Sequence, residues 1–338
     1  HYKNSPMPST NSYYNLFLIL IFMGWVFVGC SKSEPEACCE ETILPNTPET
    51  VIDCTSSNAI STVGVDCPYP APDYGVYEET IEGNLRNINT NTVPNHIYGD
   101  FRGRFEPVTR TFSLNYSPII AQNVTSILSP NNRPQYFFGV ALNGILFAPA
   151  PATPFIFENQ NTGEYNWDWV FEASLNKGPE NNQVKLDCAN AHSGDQGYHY
   201  HGNMFEYAEV LQTGLSTGVA PQEPIQVGWA ADGFPVIYLY GPDANGNLVK
   251  LTPSYQLKSG NRPGDGISAP CGPYNGKYYN DFEYVANFGD LDACNGIQRN
   301  ISLNTPSGIQ EFPYFYVITE TFPQIGRCFV GTPDASFR

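Results

Sequence analysis

The chain has 338 residues, and its 16 lysines and arginines against 33 aspartates and glutamates give a formal net charge of −17. This balance argues against nucleic acid as a partner, because affinity for nucleic acid depends on lysine and arginine, and it argues equally against an anionic lipid surface. The 30 glycines, 29 prolines and 14% aromatic residues favour short strands joined by turns.

The first 30 residues have the pattern of a bacterial signal peptide. Residues 14–29 are mostly apolar, follow a polar segment that bears Lys3, and end at Cys30. Their apolar core is shorter than the ~20 residues of a membrane-spanning helix, although an uncleaved anchor helix is the alternative. The F-V-G-C ending resembles a lipobox. We therefore expect lipidation of Cys30 and an outer-membrane lipoprotein on the periplasmic or cell-surface face.

Residues 31–76 predict a tether. The segment is acidic and proline-rich, contains cysteines and has few aromatic residues, a composition that does not form a packed core. An acidic stretch directly after a lipidated cysteine also resembles a surface-export signal of bacterial lipoproteins; a solvated spacer is the alternative. We place the folded domain at residues 77–338.

Short strand-like runs recur between turn signals through this domain. Examples are T-F-S-L-N-Y, P-V-I-Y-L-Y and P-Y-F-Y-V-I-T. Helical periodicity is scarce, and the best candidate helix covers residues 203–213. The predicted fold is a single, mainly β domain, either sandwich-like or barrel-like, with few short helices.

Three of the five histidines lie within ten residues: His192, His199 and His201. If 198–201 is a strand, His199 and His201 share one face with their Cβ atoms roughly 7 Å apart. The segment S-G-D-Q-G can turn His192 back towards them. Imidazoles so placed suit Zn or Cu, and His96 is the remaining internal candidate for a fourth ligand. The alternative is a set of hydrogen-bonded structural histidines.

Neighbouring polar residues can complete or tune such a site. Asp187 and Asp232 are candidates for a catalytic base, or for accepting the second N–H of a metal-bound imidazole; turn capping is the alternative for each. Tyr198 and Tyr200 alternate with the histidines, so we expect them on the opposite face, packed in the core. With Asn190 they form the predicted surroundings of the ligands.

Two parts of the chain have similar sequences, which indicates an internal duplication. L-D-C-A-N-A at 186–191 parallels L-D-A-C-N-G at 291–296, and Y-H-Y-H at 198–201 parallels Y-F-Y-V at 314–317. Phenylalanine and valine replace both histidines in the second copy. The alternative is coincidence between two turn–strand units.

The G-Y-H-Y-H-G run at 197–202 resembles the signature of the YHYH domain family of secreted bacterial proteins. Further blocks resemble that family in the same order: T-V-P-N-H at 92–96, F-G-V-A-L-N-G-I-L-F at 138–147, L-D-C-A-N-A-H at 186–192, A-D-G-F-P at 231–235, G-D-L-D-A-C-N-G at 289–296 and Y-F-Y-V-I-T-E-T-F-P at 314–323. The resemblance implies an exported lipoprotein but no particular reaction.

Eight cysteines remain if Cys30 carries lipid, and an even number in an exported chain favours disulfides. The position of the last two near the family's C-terminal blocks favours pairing them with each other. The expected set is Cys294–Cys328, Cys188–Cys271, and Cys38 and Cys39 with Cys54 and Cys67.

Two functional hypotheses follow. The first is a metal protein with one Zn or Cu ion, which can be a metal-dependent enzyme of unnamed substrate. The second is a non-catalytic module that binds a glycan, a peptide or another small molecule on Trp167, Trp169 and Trp229. Multicopper oxidases and α-carbonic anhydrases are excluded because no histidine follows His201, and a serine hydrolase lacks the G-x-S-x-G motif.

Overall fold

Strands dominate the described part of the chain. The computed structural model describes residue Cys54 and residues 64–99, 106–156, 165–175 and 185–338. Within these residues there are 21 strands and one α-helix. The prediction of a mainly β domain is confirmed.

The elements are numbered in chain order. The strands are β1 Tyr77–Glu82, β2 Leu85–Thr90, β3 Arg110–Asn115, β4 Thr125–Ser126, β5 Gly139–Ala141, β6 Leu146–Phe147, β7 Pro154–Ile156, β8 Tyr165–Val170, β9 Ala191–Gly194, β10 Gly197–Tyr200, β11 Gln226–Ala230, β12 Pro235–Tyr238, β13 Tyr240–Pro242, β14 Leu248–Lys250, β15 Tyr255–Leu257, β16 Phe282–Tyr284, β17 Gly296–Ile297, β18 Ile301–Thr305, β19 Gly308–Phe312, β20 Phe315–Ile318 and β21 Cys328–Phe329. The helix α1 covers Phe205–Leu211, inside the predicted 203–213.

Eight strands form the central sheet, in the order β17-β20-β12-β11-β5-β6-β10-β9. The remaining described strands form smaller sheets: β1-β2-β3, β13-β14, β15-β16, β18-β19, β21-β4 and β7-β8. The central sheet is open at β17 and β9. Among the described strands, therefore, the closed barrel that was one predicted form is not found.

The two halves of the central sheet have corresponding strand orders: β9-β10-β6-β5 in one half corresponds to β17-β20-β12-β11 in the other. In one half β10 pairs parallel with β6 and antiparallel with the edge strand β9; in the other, β20 pairs parallel with β12 and antiparallel with the edge strand β17. The halves meet at the antiparallel pair β5–β11, where Ala141 lies opposite Gly228 and Gly139 opposite Ala230. A pseudo-two-fold axis between β5 and β11 relates them.

The two central hairpins correspond in detail. The β5–β6 hairpin turns through Asn143-Gly144, and the β11–β12 hairpin turns through Asp232-Gly233. Both glycines have positive φ, 84° and 91°, a conformation that glycine adopts without steric cost. In each hairpin the amide of the last residue of the first strand donates to a carbonyl across the turn, at 2.8 and 2.9 Å.

The loops before the two edge strands also match. Oδ1 of Asp187 accepts hydrogen bonds from the amides two and four residues ahead, at 2.9 and 3.1 Å, and Oδ1 of Asp292 does the same at 2.8 and 3.1 Å. Asn190 and Asn295 both have positive φ, 56° and 61°. This correspondence of loops, hairpins and pairing is what an internal duplication predicts.

Three disulfides join the described residues: Cys54–Cys271, Cys67–Cys188 and Cys294–Cys328. The last is a predicted pair and is confirmed. The predicted bond between Cys188 and Cys271 is wrong, because each of these cysteines bonds to the segment before the domain.

The contacts of residues 64–69, which we call the neck, explain the observed pairing of Cys188. Residues 64–69 run beside the domain, where the amide of Val65 donates to the carbonyl of Leu186 at 2.8 Å. The contact places Cys67 next to Cys188, with their Cα atoms 5.8 Å apart. The neck is therefore fixed to the loop that precedes the histidines.

Most of the predictions for the N-terminal segment fall outside the described residues. The leader 1–30 and the cysteines Cys38 and Cys39 lie outside the described residues. Since Cys54 and Cys67 bond to the domain, their predicted pairing with Cys38 and Cys39 is wrong. In the part of the chain that the structure describes, no helix has the length and apolar character needed to cross a membrane.

Candidate metal centre

Two of the three clustered histidines, His192 and His199, lie on paired strands at one edge of the central sheet, and His201 directly follows the second strand. β9 and β10 are antiparallel, and His192 lies directly opposite His199 in their register. His201 follows β10 by one residue, and its ring centroid is 4.8 Å from that of His199. The prediction that these two share a face is confirmed.

The turn between the strands depends on Gly197. Its φ is 89°, and a Cβ built there would lie 2.1 Å from Oγ1 of Thr92. Both the backbone conformation and the close approach require glycine. The glycine thereby allows the tight return that brings His192 back over β10.

The three imidazole rings approach one another with their Nε2 atoms. Nε2 of His192 lies 3.1 Å from Nε2 of His199 and 3.0 Å from Nε2 of His201. One ligand atom from each of the three lies within 4.8 Å of the others. The predicted separation of roughly 3–4 Å, which tetrahedral ligands at ~2.1 Å require, is confirmed for the two pairs that include His192.

Burial keeps His199 and His201 neutral. Burial lowers the pKa of His199 to about 4. It also lowers the pKa of His201, together with the neighbouring His199 and His192 and the charge of Arg327. Nδ1 of His199 donates to the carbonyl of Gly197 at 2.9 Å, because a carbonyl only accepts. Its Nε2 therefore presents a lone pair to the cluster, as a metal ligand does.

The tyrosines of the signature lie on the opposite face, as predicted, and both are fully buried. Tyr198 Oη donates to Oδ2 of Asp187 at 2.6 Å. Tyr200 Oη accepts from Nδ2 of Asn143 at 2.9 Å and contacts Nε2 of His96 at 2.7 Å. Their hydroxyls attach this face of β10 to Asp187 and Asn143.

His96 is not a fourth ligand, and that prediction is wrong. Its Nδ1 donates to the carbonyl of Ile97 at 2.7 Å, so its Nε2 accepts from the hydroxyl of Tyr200. Both ring nitrogens are therefore used, on the face of β10 opposite the cluster. Burial lowers the pKa of His96 to about 4, which keeps it a neutral structural residue.

Asp187 is a turn-capping residue rather than a catalytic base, so the catalytic prediction is wrong. Its Oδ2 accepts from Tyr198 and from the amide of Gly99 at 2.9 Å, and its Oδ1 accepts from two loop amides. Burial raises its pKa to about 6, against the lowering effect of these hydrogen bonds. These hydrogen bonds hold the carboxylate on the face of β10 opposite the histidine cluster.

Asp232 likewise has a structural role, and the prediction of a catalytic base there is wrong. Its Oδ2 accepts from Oη of Tyr316 at 2.6 Å and from the amide of Gly331 at 2.9 Å. It occupies in the second half the position that Asn143 occupies in the first, where each supports a buried tyrosine. Burial raises its pKa to about 6.

Asn190 supports the cluster through its backbone. Its carbonyl accepts from the amide of His201 at 2.8 Å. Its side chain turns away and donates from Nδ2 to the carbonyl of Asn203 at 2.6 Å. The predicted place of Asn190 beside the ligands is thus correct for its main chain only.

The histidine cluster opens into a cleft of about 850 Å³. The other lining residues come from five separated parts of the chain: 134–137, 148 with 150–153, Lys185, Gln196, and 337–338. Since only Gln196 belongs to the signature region, no local motif indicates the rest. The sequence analysis missed Lys185 and Arg338 for this reason.

Of the three candidate tryptophans, only Trp229 is fully buried, whereas Trp167 and Trp169 are partly exposed. Trp229 is fully buried, with the guanidinium of Arg86 3.5 Å from its ring centroid. The ring of Trp167 is covered by Arg133 at 4.9 Å. Trp169 packs against Tyr278 with ring centroids 5.7 Å apart.

Comparison with known proteins places this site in a family. A family model described as YHYH protein matches residues 111–331, which include both strands that carry the histidines. No curated protein and no solved structure matches the chain. Because the family match covers more than half of the 338 residues, the chain belongs to the YHYH family.

Proposed function

We propose that the protein binds one transition-metal ion, Zn or Cu, through Nε2 of His192, His199 and His201. The observation that carries this proposal is the approach of His192 Nε2 to both other Nε2 atoms, at 3.1 and 3.0 Å. A single proton on His192 Nε2 satisfies only one of those contacts, because a neutral imidazole has one donor and one acceptor nitrogen. A cation shared by all three removes the remaining repulsion.

The centre is open to the cleft, which favours catalysis over a structural role. Structural zinc sites have four protein ligands, whereas catalytic sites have three and keep one position for water or substrate. The described residues supply three imidazoles. A bound metal would lower the pKa of a water molecule in that position, so we propose metal-dependent activation of water at the base of the cleft.

Elemental analysis of purified protein tests the metal proposal. We expect about one metal ion per chain, as a three-imidazole site requires, and its loss in the His199→Ala/His201→Ala variant. His96→Ala is the matched control, since it removes a buried histidine that contacts no member of the cluster through a ring nitrogen. Equal metal content in all three proteins would refute the site and favour the binding-module hypothesis.

We further propose that the protein is an exported lipoprotein, cleaved before Cys30 and anchored in the outer membrane by lipid on that cysteine. The apolar leader and the F-V-G-C ending support this, and three disulfides fit an oxidising compartment. Mass spectrometry of the mature chain tests it. A Cys30→Ser variant should remain unprocessed, and a mature chain that starts elsewhere without lipid would contradict the proposal.

A further inference from the structure

The cleft over the histidines has the opposite charge to the protein as a whole. The chain has a net charge of −17. Among the described side chains that line the cleft, however, those of Lys185 and Arg338 are cationic and none is a carboxylate. Clefts lined by one sign of charge concentrate ligands of the other sign. The local field therefore opposes the general repulsion of anions.

The ligand set adds to this positive charge. Three neutral imidazoles leave the full charge of a divalent metal uncompensated, unlike a site with a carboxylate ligand. The nearby buried acids are engaged elsewhere: Asp187 lies on the opposite face of β10 with four hydrogen bonds, and Glu172 is paired with Arg327 at 2.7 Å. An anion is the ligand that best complements such a centre.

Polar side chains at the rim are held in place. The guanidinium of Arg338 donates to the hydroxyl of Tyr136 and lies 4.8 Å from its ring centroid. Arg110 donates to Oε1 of Gln196, another lining residue. These contacts order the side chains that a charged ligand would meet.

We propose that the cleft binds a small organic molecule through an oxyanion, a carboxylate or a phosphate group, held by Lys185 and Arg338 within reach of the metal. The inference rests on the proposed metal centre and specifies its substrate class. A volume of about 850 Å³ fits a small molecule. A single oxygen ligand would leave most of this space unfilled.

Titration calorimetry on the zinc-loaded full chain tests the inference, with inorganic phosphate and acetate as the two anionic probes and glycerol as the neutral one. The informative variant is Lys185→Gln/Arg338→Gln. The control is Lys250→Gln/Arg299→Gln, which changes the net charge equally at positions that do not line the cleft. The single variant Arg338→Gln covers the case in which the double variant does not fold.

We expect at least one anion to bind and glycerol not to bind. The cleft variant should weaken anion binding about tenfold, equivalent to ~1.4 kcal/mol, while its zinc content stays unchanged, and the control should bind as the wild type. The stronger of the two anions identifies the group that is recognised. Equal anion affinity in the cleft variant and the control, or no anion binding to zinc-loaded protein, would overturn this inference alone. Failure of the wild type to bind either zinc or copper would overturn the metal centre, and this inference with it.

Discussion

The two halves of the central sheet share a scaffold and differ in what it presents. In each half a loop aspartate accepts a hydrogen bond from the hydroxyl of the first of two buried tyrosines. Asp187 accepts from Tyr198 at 2.6 Å, and Asp292 accepts from Tyr314 at 2.9 Å. The second tyrosine is held by the central hairpin. The supporting network is thus present both in the half with the histidine cluster and in the half without it.

The difference lies at three equivalent positions. Where the first half has His192, His199 and His201, the second has Ile297, Phe315 and Val317, and Ile297 pairs with Phe315 as His192 pairs with His199. Phe315 and Val317 are buried. The equivalent surface is therefore an apolar packing surface in one half and a polar cluster under a cleft in the other. The comparison shows that the same strand pair presents three histidines in one half and three apolar side chains in the other.

The largest expected effect comes from giving the first half the residues of the second. The variant His192→Ile/His199→Phe/His201→Val should retain less than about 0.1 metal ion per chain, because no ligand remains. Without metal it should be at least as stable as metal-free wild type, since buried imidazoles without a shared cation cost free energy. Metal analysis and urea unfolding of both proteins check this. Metal retained by the variant would show that the three histidines are not the feature that distinguishes the two halves.

The disulfides of the two loops should rank by the length of chain they close. Cys67–Cys188 spans 121 residues and Cys294–Cys328 spans 34. In the chain-entropy account, removing them as paired alanine variants costs about 5 and about 4 kcal/mol of unfolding free energy respectively. Guanidinium unfolding measures both. A larger loss for the shorter loop would contradict the loop-entropy explanation.

His96, which contacts Tyr200, and Asp232, which accepts from Tyr316, should change the free energy of unfolding with pH in opposite directions. The pKa of His96 is lowered to about 4 by burial, so its contribution to stability is lost as pH falls from 6.5 towards 4. The pKa of Asp232 is raised to about 6, so its contribution is present at low pH and lost as pH rises from 4 towards 6. Each amounts to about 3 kcal/mol across its range.

Unfolding free energies of metal-free protein between pH 4 and 6.5 measure these dependences. Relative to wild type, His96→Gln should make stability rise less with pH, and Asp232→Asn should make it rise more. Metal-free samples are used so that the histidines of the cluster titrate in the same way in all three proteins. Two variants with slopes that change in the same direction would contradict the assignment.

The smallest effects are expected from single tyrosine hydroxyls. Tyr198→Phe and Tyr314→Phe each remove one hydrogen bond to a carboxylate, which costs about 1–3 kcal/mol when the acceptor is buried. The first should cost more, because Asp187 is 1% exposed and Asp292 is only partly buried. Urea unfolding measures both, and metal content should stay unchanged in each. Loss of metal in Tyr198→Phe alone would show that the scaffold and the site are coupled.

Local periodicity predicted the central part of the site. The alternation of Tyr198, His199, Tyr200 and His201 fixed which side chains share a face, because strand side chains alternate with period two. The repeated L-D loop likewise indicated two matching halves. These features depend on neighbours in sequence, which is why they could be predicted.

The errors concern contacts between distant segments. Nothing near His96 in sequence shows that its ring meets Tyr200, 104 residues away. The pairing of Cys188 depends on a neck segment 121 residues earlier. The cleft residues Lys185 and Arg338 meet only in the folded chain. Residue type indicated candidates, but tertiary contacts decided their roles.

X-ray absorption spectroscopy of the metal-loaded protein tests the central claim most directly. The account predicts three imidazole nitrogens at about 2.0–2.1 Å from one Zn or Cu ion, together with one light-atom ligand that is not imidazole. The spectrum of His96→Ala should be the same as that of the wild type. Four imidazoles, a sulfur ligand, or a metal ion that dialysis removes completely would contradict it.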